Sequence, residues 1–147
     1  MSTTPSLNGQ VIGLAHYATR ALLERELART GTTFVQSLAL NTAADGGGSA
    51  DREQLVTRLT DGLKIDAETA EAALAELTAT GLLENAPAGP AHLRLTAAGR
   101  ERQQLIRAAV GGITARLYGD IPAEDLATAG RVVATVKARA DAELAAG

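Results

Sequence analysis

The 147-residue sequence contains no cysteine, two histidines and very few aromatic side chains. The lack of cysteine excludes disulfides, thiolate metal ligands and thiol-based redox sensing. Because His16 and His92 lie far apart in the sequence, we expect neither a metal site nor a metal cofactor. No apolar run is long enough to span a bilayer, and "MSTTPSLNGQ" carries no basic leader region, so we expect a cytoplasmic protein without membrane contacts.

The sequence also lacks the patterns of common catalytic sites. It has no Ser-His-Asp order and no spacing that brings two carboxylates together. The glycines at 46–48 are not followed by Lys-Ser or Lys-Thr, so they do not form a phosphate-binding loop. We therefore expect a protein that is not an enzyme and needs no cofactor.

Positive charge is scarce in the central part of the chain. The whole chain has a formal net charge of −3, whereas residues 51–84 hold three basic and eight acidic side chains, a net charge of −5. The stretch from Ile65 to Leu93 contains no lysine or arginine. Since phosphate contacts supply most non-specific affinity for DNA, this distribution of charge argues against tight DNA binding.

The spacing of apolar residues predicts a mainly α-helical chain. Asp51, Asp66 and Thr96 are well placed to cap helices, and Pro122 suits the first turn of a last helix. "AADGGGSA" at 43–50 is typical of a flexible surface loop, and Asp61-Gly62 in "TDGLKI" of a turn. The predicted helices lie at about residues 7–30, 33–42, 51–59, 66–80, 96–117 and 122–145.

Three local patterns complete this prediction. The two helices after Asp51 and Asp66 form a helix-turn-helix candidate, and "LLENA" and "AHLRLT" around "PAGP" indicate a β-hairpin. The pair Gly111-Gly112 suggests a bend or a close helix crossing. The last helix has a near-heptad apolar seam that is typical of a partner-facing surface, made of Leu126, Ala129, Val133, Val136, Ala140 and Leu144.

The segment "LAELTATGLLE…LRLTAAGRE", residues 74–101, resembles the MarR family of bacterial transcriptional regulators, and the pattern extends over nearly the whole chain. The resemblance implies a single domain over 1–147, mainly α with a small β-hairpin wing. It implies a winged helix-turn-helix lobe at 33–95 and dimerisation helices at 7–30 and 97–145. It also implies a homodimer that binds a pseudo-palindromic operator in double-stranded DNA, with a cleft for a small-molecule effector.

The sequence departs from the family pattern at the wing. Members usually carry a basic residue soon after the Gly-Leu pair and an Asp-x-Arg motif near the wing tip. Here Glu84 and Asn85 follow Gly81-Leu82-Leu83, and the tip is the neutral "PAGP". A short neutral wing is poorly suited to insert an arginine into a minor groove.

Candidate DNA contacts fall on three segments, which are the first helix of the motif with the turn after it, the second helix of the motif, and the hairpin. Arg52 and Lys64 are placed to meet phosphates, whereas a carboxylate on the second helix of the motif could accept from cytosine. The alternatives are solvated basic side chains and first-turn acids that complement the helix dipole. The complete candidate set is Arg52, Lys64, Glu68, Thr69, Glu71, Ala72, His92 and Arg94.

His16, Tyr17 and Arg20 lie within about one turn of the first helix, which the resemblance places along the ligand cleft. They could donate hydrogen bonds to a phenol or a carboxylate. The alternative is a half-exposed helix edge with Tyr17 packed at the dimer seam. The leading hypothesis is thus a DNA-binding regulator, and the second is a winged-helix dimer with weak or lost DNA binding that acts in protein interactions.

Overall fold

The computed structural model describes residues 4–147 and divides the chain into two compact units. The first ends at Ile113, and the second comprises Thr114–Gly147. In the described residues no helix is both long and apolar enough to cross a membrane. The elements in chain order are α1 (Gly9–Ala28), α2 (Phe34–Asp45), β1 (Ser49–Asp51), α3 (Arg52–Leu63), α4 (Ala67–Ala79), β2 (Leu83–Ala86), β3 (Gly89–Leu95), α5 (Ala97–Tyr118) and α6 (Ala123–Ala146).

The predicted helix caps are confirmed where they rest on a local side chain. The carboxylate of Asp51 accepts from the backbone N–H of Gln54 at 3.1 Å, and the carboxylate of Asp66 accepts from that of Thr69 at 2.7 Å. The hydroxyl of Thr96 accepts from the backbone N–H of Gly99 at 3.0 Å. Each cap satisfies a backbone donor that the first helical turn leaves without a partner.

The glycine-rich segment after α2 is not the loop that the sequence predicts. α2 continues to Asp45, and residues 49–51 form strand β1. The backbone carbonyl of Gly48 accepts from the N–H of Leu95 at 2.8 Å, and Ala50 is paired with Leu93. The three glycines therefore make a tight turn between a helix and a strand, with positive φ angles at Gly47 and Gly48.

The turn predicted at Asp61-Gly62 is also wrong, because α3 runs through both residues to Leu63. Leu63 packs against the hydrophobic core and extends the apolar face that Leu55 begins. Packing therefore outweighs the turn preference of Asp-Gly. The chain reverses instead at Lys64, which adopts left-handed backbone with a φ of 56°.

The three strands form an antiparallel sheet in the order β1-β3-β2. β2 and β3 are the predicted hairpin, although its turn is confined to Pro87-Ala88 and β3 already begins at Gly89. A register irregularity lies between Asn85 and Ala86. The sequence missed β1 because a three-residue strand has too little pattern to be recognised without its partner.

One hydrophobic core holds the first unit together. It draws side chains from α1 to α5 and from the hairpin, so the helix-turn-helix and the wing share a single packed interior. Ala70, Ala73, Leu74 and Leu77 follow the i, i+3, i+4, i+7 spacing of one helix face, and all four are buried on the inner face of α4. The largest fully buried side chains are Leu27, Leu40, Leu55, Leu59, Leu74, Leu77, Leu83, Leu93 and Ile106.

The second unit consists of the end of α5 and all of α6, and it has no comparable core. No residue of α6 is buried, and Val133 and Val136 are 40% and 46% exposed. Pro122 lies at the N-cap of α6, one residue before the first helical position. α5 is assigned as continuous helix through Gly111 and Gly112, and the boundary between the units follows one residue later.

Candidate nucleic-acid interface

Helix α4 presents a polar face to solvent in the first unit. Glu68, Thr69 and Ala72 are exposed, and Glu71 is half-buried. The N-terminus of the helix is capped by Asp66, whose pKa is lowered because the side chain and the backbone N–H of Thr69 both donate to its carboxylate. Glu68 and Glu71 make this outward face of α4 acidic.

The predicted phosphate contact Arg52 is engaged within the protein. Its Nη2 atom lies 2.8 Å from Oε2 of Glu71, so the first residue of α3 is bridged to the outward side of α4. Both side chains are partly exposed, at 36% and 45%. Two candidate DNA contacts of opposite charge are thus brought together and neutralise each other.

The wing contains a second ion pair of the same kind. Glu84 on β2 and Arg94 on β3 are opposite each other in the strand register, and Nε of Arg94 lies 2.8 Å from Oε1 of Glu84. Cross-strand pairs of opposite charge stabilise a hairpin modestly. His92 is exposed on β3 opposite Asp51 of β1. The side chain of Arg94 is therefore directed along the sheet towards Glu84.

The sequence missed a polar link between α2 and α4. Nε2 of Gln36, a buried residue, donates to Oε2 of Glu76 at 2.7 Å. The two residues are forty positions apart, and the only local signal is that Gln36 also closes the capping box with Thr33. This link connects the C-terminal half of α4 to α2.

A cleft of about 470 Å³ lies beside this link, between the start of α2, the end of α4 and the start of α5. Arg102 reaches into the same region and donates from Nη1 to the hydroxyl of Thr32 at 3.0 Å. The cleft is lined by Thr30, Gly31, Thr33, Gln36, Glu76, Ala79, Thr80, Leu82 and Arg102.

None of the three candidate ligand-binding residues of α1 is among the residues that line this cleft. His16 and Tyr17 are exposed, with their ring centroids 5.5 Å apart. The guanidinium carbon of Arg20 lies 4.3 Å from the centroid of the Phe34 ring, and its Nε is 2.9 Å from Glu24. The structure brings His16 and Tyr17 together, whereas Arg20 is held by Phe34 and Glu24.

The most specific sequence motif has a clear structural reason. The hydroxyl of Thr96 donates to the carbonyl of Gly81 at 2.6 Å, and the backbone N–H of Thr96 donates to that of Leu82 at 3.1 Å. Gly99 faces the same backbone, and a Cβ atom built there would lie 2.0 Å from the oxygen of Leu82. The residues of the pattern Gly-Leu…Thr-x-x-Gly are thus those that allow α5 to pack closely against the segment that follows α4.

The described chain has the winged helix-turn-helix fold of MarR-family transcriptional regulators. It is similar to the reduced form of MarR from E. coli, at a TM-score of 0.67 and 20% identity over 90% of this chain and 95% of that one. It is also similar to CouR from Rhodococcus jostii RHA1 bound to p-coumaroyl-CoA, at a TM-score of 0.74 and 15% identity over 87% and 90% of the two chains.

A third similar structure is a MarR-family protein of Mycobacterium tuberculosis in complex with DNA, at a TM-score of 0.68 and 17% identity over 90% and 98% of the two chains. The sequence matches no protein-family model and no curated protein. At these identities the likeness establishes the fold alone.

Proposed function

We propose that the protein is a homodimeric DNA-binding transcriptional regulator, most simply a repressor of a pseudo-palindromic operator. The observation that carries this proposal is the position of α4, whose exposed residues Glu68, Thr69 and Ala72 stand on the same packed lobe as the wing. One of the similar structures is a complex with DNA, which supports the assignment of α4 as the recognition helix.

The proposed DNA contacts divide by chemistry. Arg52, Lys64 and Arg94 are assigned to phosphates, with His92 on the wing as a further donor. On α4, Glu68 or Glu71 would accept from the amino group of a cytosine. Ala72 would touch a thymine methyl group, and Thr69 would contact either a base edge or a phosphate. These roles extend the sequence hypothesis, and each makes a separate prediction for base preference or for salt dependence.

The homodimer is proposed from the exposed apolar side chains of the second unit. Val132, Val133 and Val136 on α6 are each at least 40% exposed, and Leu144 is 66% exposed. A helix with an apolar seam and no buried residue needs a partner, and a second copy of the chain fits a closed two-fold pair. We propose that α1, α5 and α6 form this interface and that 1–147 acts as one MarR-like domain.

We also propose that a small-molecule effector weakens DNA binding. CouR was solved with p-coumaroyl-CoA, which supports a search among aromatic acids and their thioesters. His16 and Tyr17 form an exposed polar pair on α1, and Arg20 is nearby as a cation. The effector site is assigned to these three residues, with substitution of Tyr17 by phenylalanine as the first test of effector response.

The regulator hypothesis is tested by binding to DNA from upstream of the protein's own gene. Affinity is measured by fluorescence anisotropy over a series of salt concentrations, with a scrambled duplex of equal length as the control. Specific binding that weakens steeply with salt supports the proposal. If the folded dimer binds neither duplex above background at low salt, the regulator hypothesis is contradicted.

A second candidate function is favoured by the charge of the lobe. The net charge of −5 over residues 51–84 and the pairing of Arg52 and Arg94 with glutamates both disfavour contact with phosphates. A winged-helix dimer that has lost DNA binding would act as a protein-interaction module. The failure of the binding experiment above, together with a solution mass near twice 15.0 kDa, would favour this candidate.

A further inference from the structure

Two arginines among the proposed DNA contacts are each paired with a glutamate. Arg52 bridges from α3 to Glu71 on α4, and Arg94 bridges across the wing to Glu84, with both distances at 2.8 Å. Carboxylate and phosphate oxygens suit the same guanidinium donors. A DNA phosphate that approached either arginine would therefore compete with a carboxylate that already accepts from one nitrogen of the guanidinium.

We propose that Glu71 limits non-specific DNA binding by holding Arg52 in this ion pair. The inference rests on the proposed function, since it concerns the same face of the molecule. Releasing Arg52 to a phosphate breaks the ion pair and leaves the carboxylate of Glu71 near a negative strand. Both effects lower the affinity for DNA of any sequence. A sequence that offers Glu71 a hydrogen-bond donor offsets part of this loss, so Glu71 acts as a specificity-determining residue.

Glu68 provides the matched control for this idea. It lies three residues before Glu71 on the same helix, carries the same charge and is exposed. Within the part of the chain that the structure describes, it makes no ion pair. Glu68→Gln and Glu71→Gln therefore remove the same charge from neighbouring turns, and only the second frees an arginine. The difference between the two variants isolates the release of Arg52 from the general loss of negative charge.

The experiment measures the affinity of the dimer for a short duplex of unrelated sequence over a range of salt concentrations. Four variants are compared with the wild type: Glu71→Gln, Glu68→Gln, Arg52→Ala and the double variant Arg52→Ala with Glu71→Gln. For Glu71→Gln we expect affinity to rise about threefold to tenfold at low salt. The plot of log affinity against log salt should steepen by about 0.9 for each additional phosphate that an arginine neutralises, or about 1.8 per dimer.

The decisive comparison is made in the Arg52→Ala background. There the rise in affinity from Glu71→Gln should shrink to that of Glu68→Gln, because no arginine remains to be released. Equal rises for the two glutamine variants while Arg52 is present would overturn the inference, as would a rise from Glu71→Gln that persists without Arg52. Thermal unfolding confirms that each variant is folded.

The outcomes also separate this inference from the proposed function. If the wild type binds DNA and Glu71→Gln binds it no more tightly, the inference fails while the regulator hypothesis stands. If the wild type does not bind DNA and Glu71→Gln does, the inference is supported, because the ion pair then prevents DNA binding in the wild type. If no folded variant binds at low salt, both fail.

Discussion

Substitution of Gly99 by alanine should destabilise the first unit. Gly99 is buried in the first turn of α5, and a Cβ atom there would lie 2.0 Å from the carbonyl oxygen of Leu82 and 3.0 Å from its carbon. The oxygen cannot move freely, because it accepts from the backbone N–H of Thr96 at 3.1 Å. The new methyl group therefore forces α5 away from the segment that ends α4.

The magnitude follows from two opposing terms. Overpacking against backbone costs about 3 kcal/mol. Replacing a helical glycine with alanine returns about 1 kcal/mol of helix propensity. The expected net loss in the free energy of unfolding is about 2 kcal/mol. For a chain of this length that loss lowers the melting temperature by ~8 °C.

Differential scanning fluorimetry, supported by circular dichroism at a fixed protein concentration, measures the change. Gly62→Ala is the matched control, since Gly62 is a helical residue in the same unit and a Cβ there would meet nothing within 4 Å. The control should melt at the wild-type temperature or slightly above it. If Gly99→Ala and Gly62→Ala melt together, the close approach does not constrain the fold, and the explanation of the motif is refuted.

Three further predictions test other contacts. Thr96→Val should cost about 1–2 kcal/mol of unfolding free energy, measured by denaturant titration, because it removes the cap of α5 and the bond to Gly81. Asp66→Asn should melt below the wild type at neutral pH. Because folding lowers the pKa of Asp66, that difference should begin to shrink as pH falls below about 4 and should be lost as pH falls through the lowered pKa of the folded state; a constant difference would contradict it. Val133→Asp should convert the proposed dimer to a monomer, as measured by light scattering; an unchanged dimer mass would exclude Val133 from the proposed interface.

The parts of the fold that were predicted correctly depend on nearby residues. Asp66 and Thr96 cap helices through donors three residues ahead, so the signal lies within one turn of sequence. The inner face of α4 follows from the spacing of its apolar residues alone. Such features are set by local geometry, and a single sequence is enough to recognise them.

The errors arise where distant parts of the chain decide the local structure. β1 forms because Ala50 pairs with Leu93, more than forty residues later in the chain. The glycine-rich segment contains no local pattern that indicates this pairing. α3 passes through Asp61-Gly62 because Leu63 is needed in the core. In both places a tertiary contact overrides a turn preference that is otherwise sound.

For the candidate interface, the sequence indicated which helix carries each candidate residue, but it did not indicate the contacts between the side chains. Helical spacing was enough to place Glu71 on the outward side of α4, and a cap position was enough to place Arg52 at the start of α3. That the two side chains meet at 2.8 Å depends on how α3 and α4 cross, which the sequence does not contain. The same holds for Gln36 and Glu76, which are joined across forty residues.

In the stretch from Ile65 to Leu93, different residues therefore determine the fold and the charge of the surface. Its leucines and glycines form α4 and the hairpin, and this packing does not depend on charged side chains. Two of its carboxylates, Glu71 and Glu84, lie on the proposed DNA-binding face and pair with Arg52 and Arg94, which lie outside the stretch. A lobe arranged in this way gains little from phosphates until those pairs open, so contacts with bases must carry a larger share of the discrimination than in a basic lobe. For a regulator with this charge distribution, selectivity comes from weak non-specific binding as much as from strong specific binding.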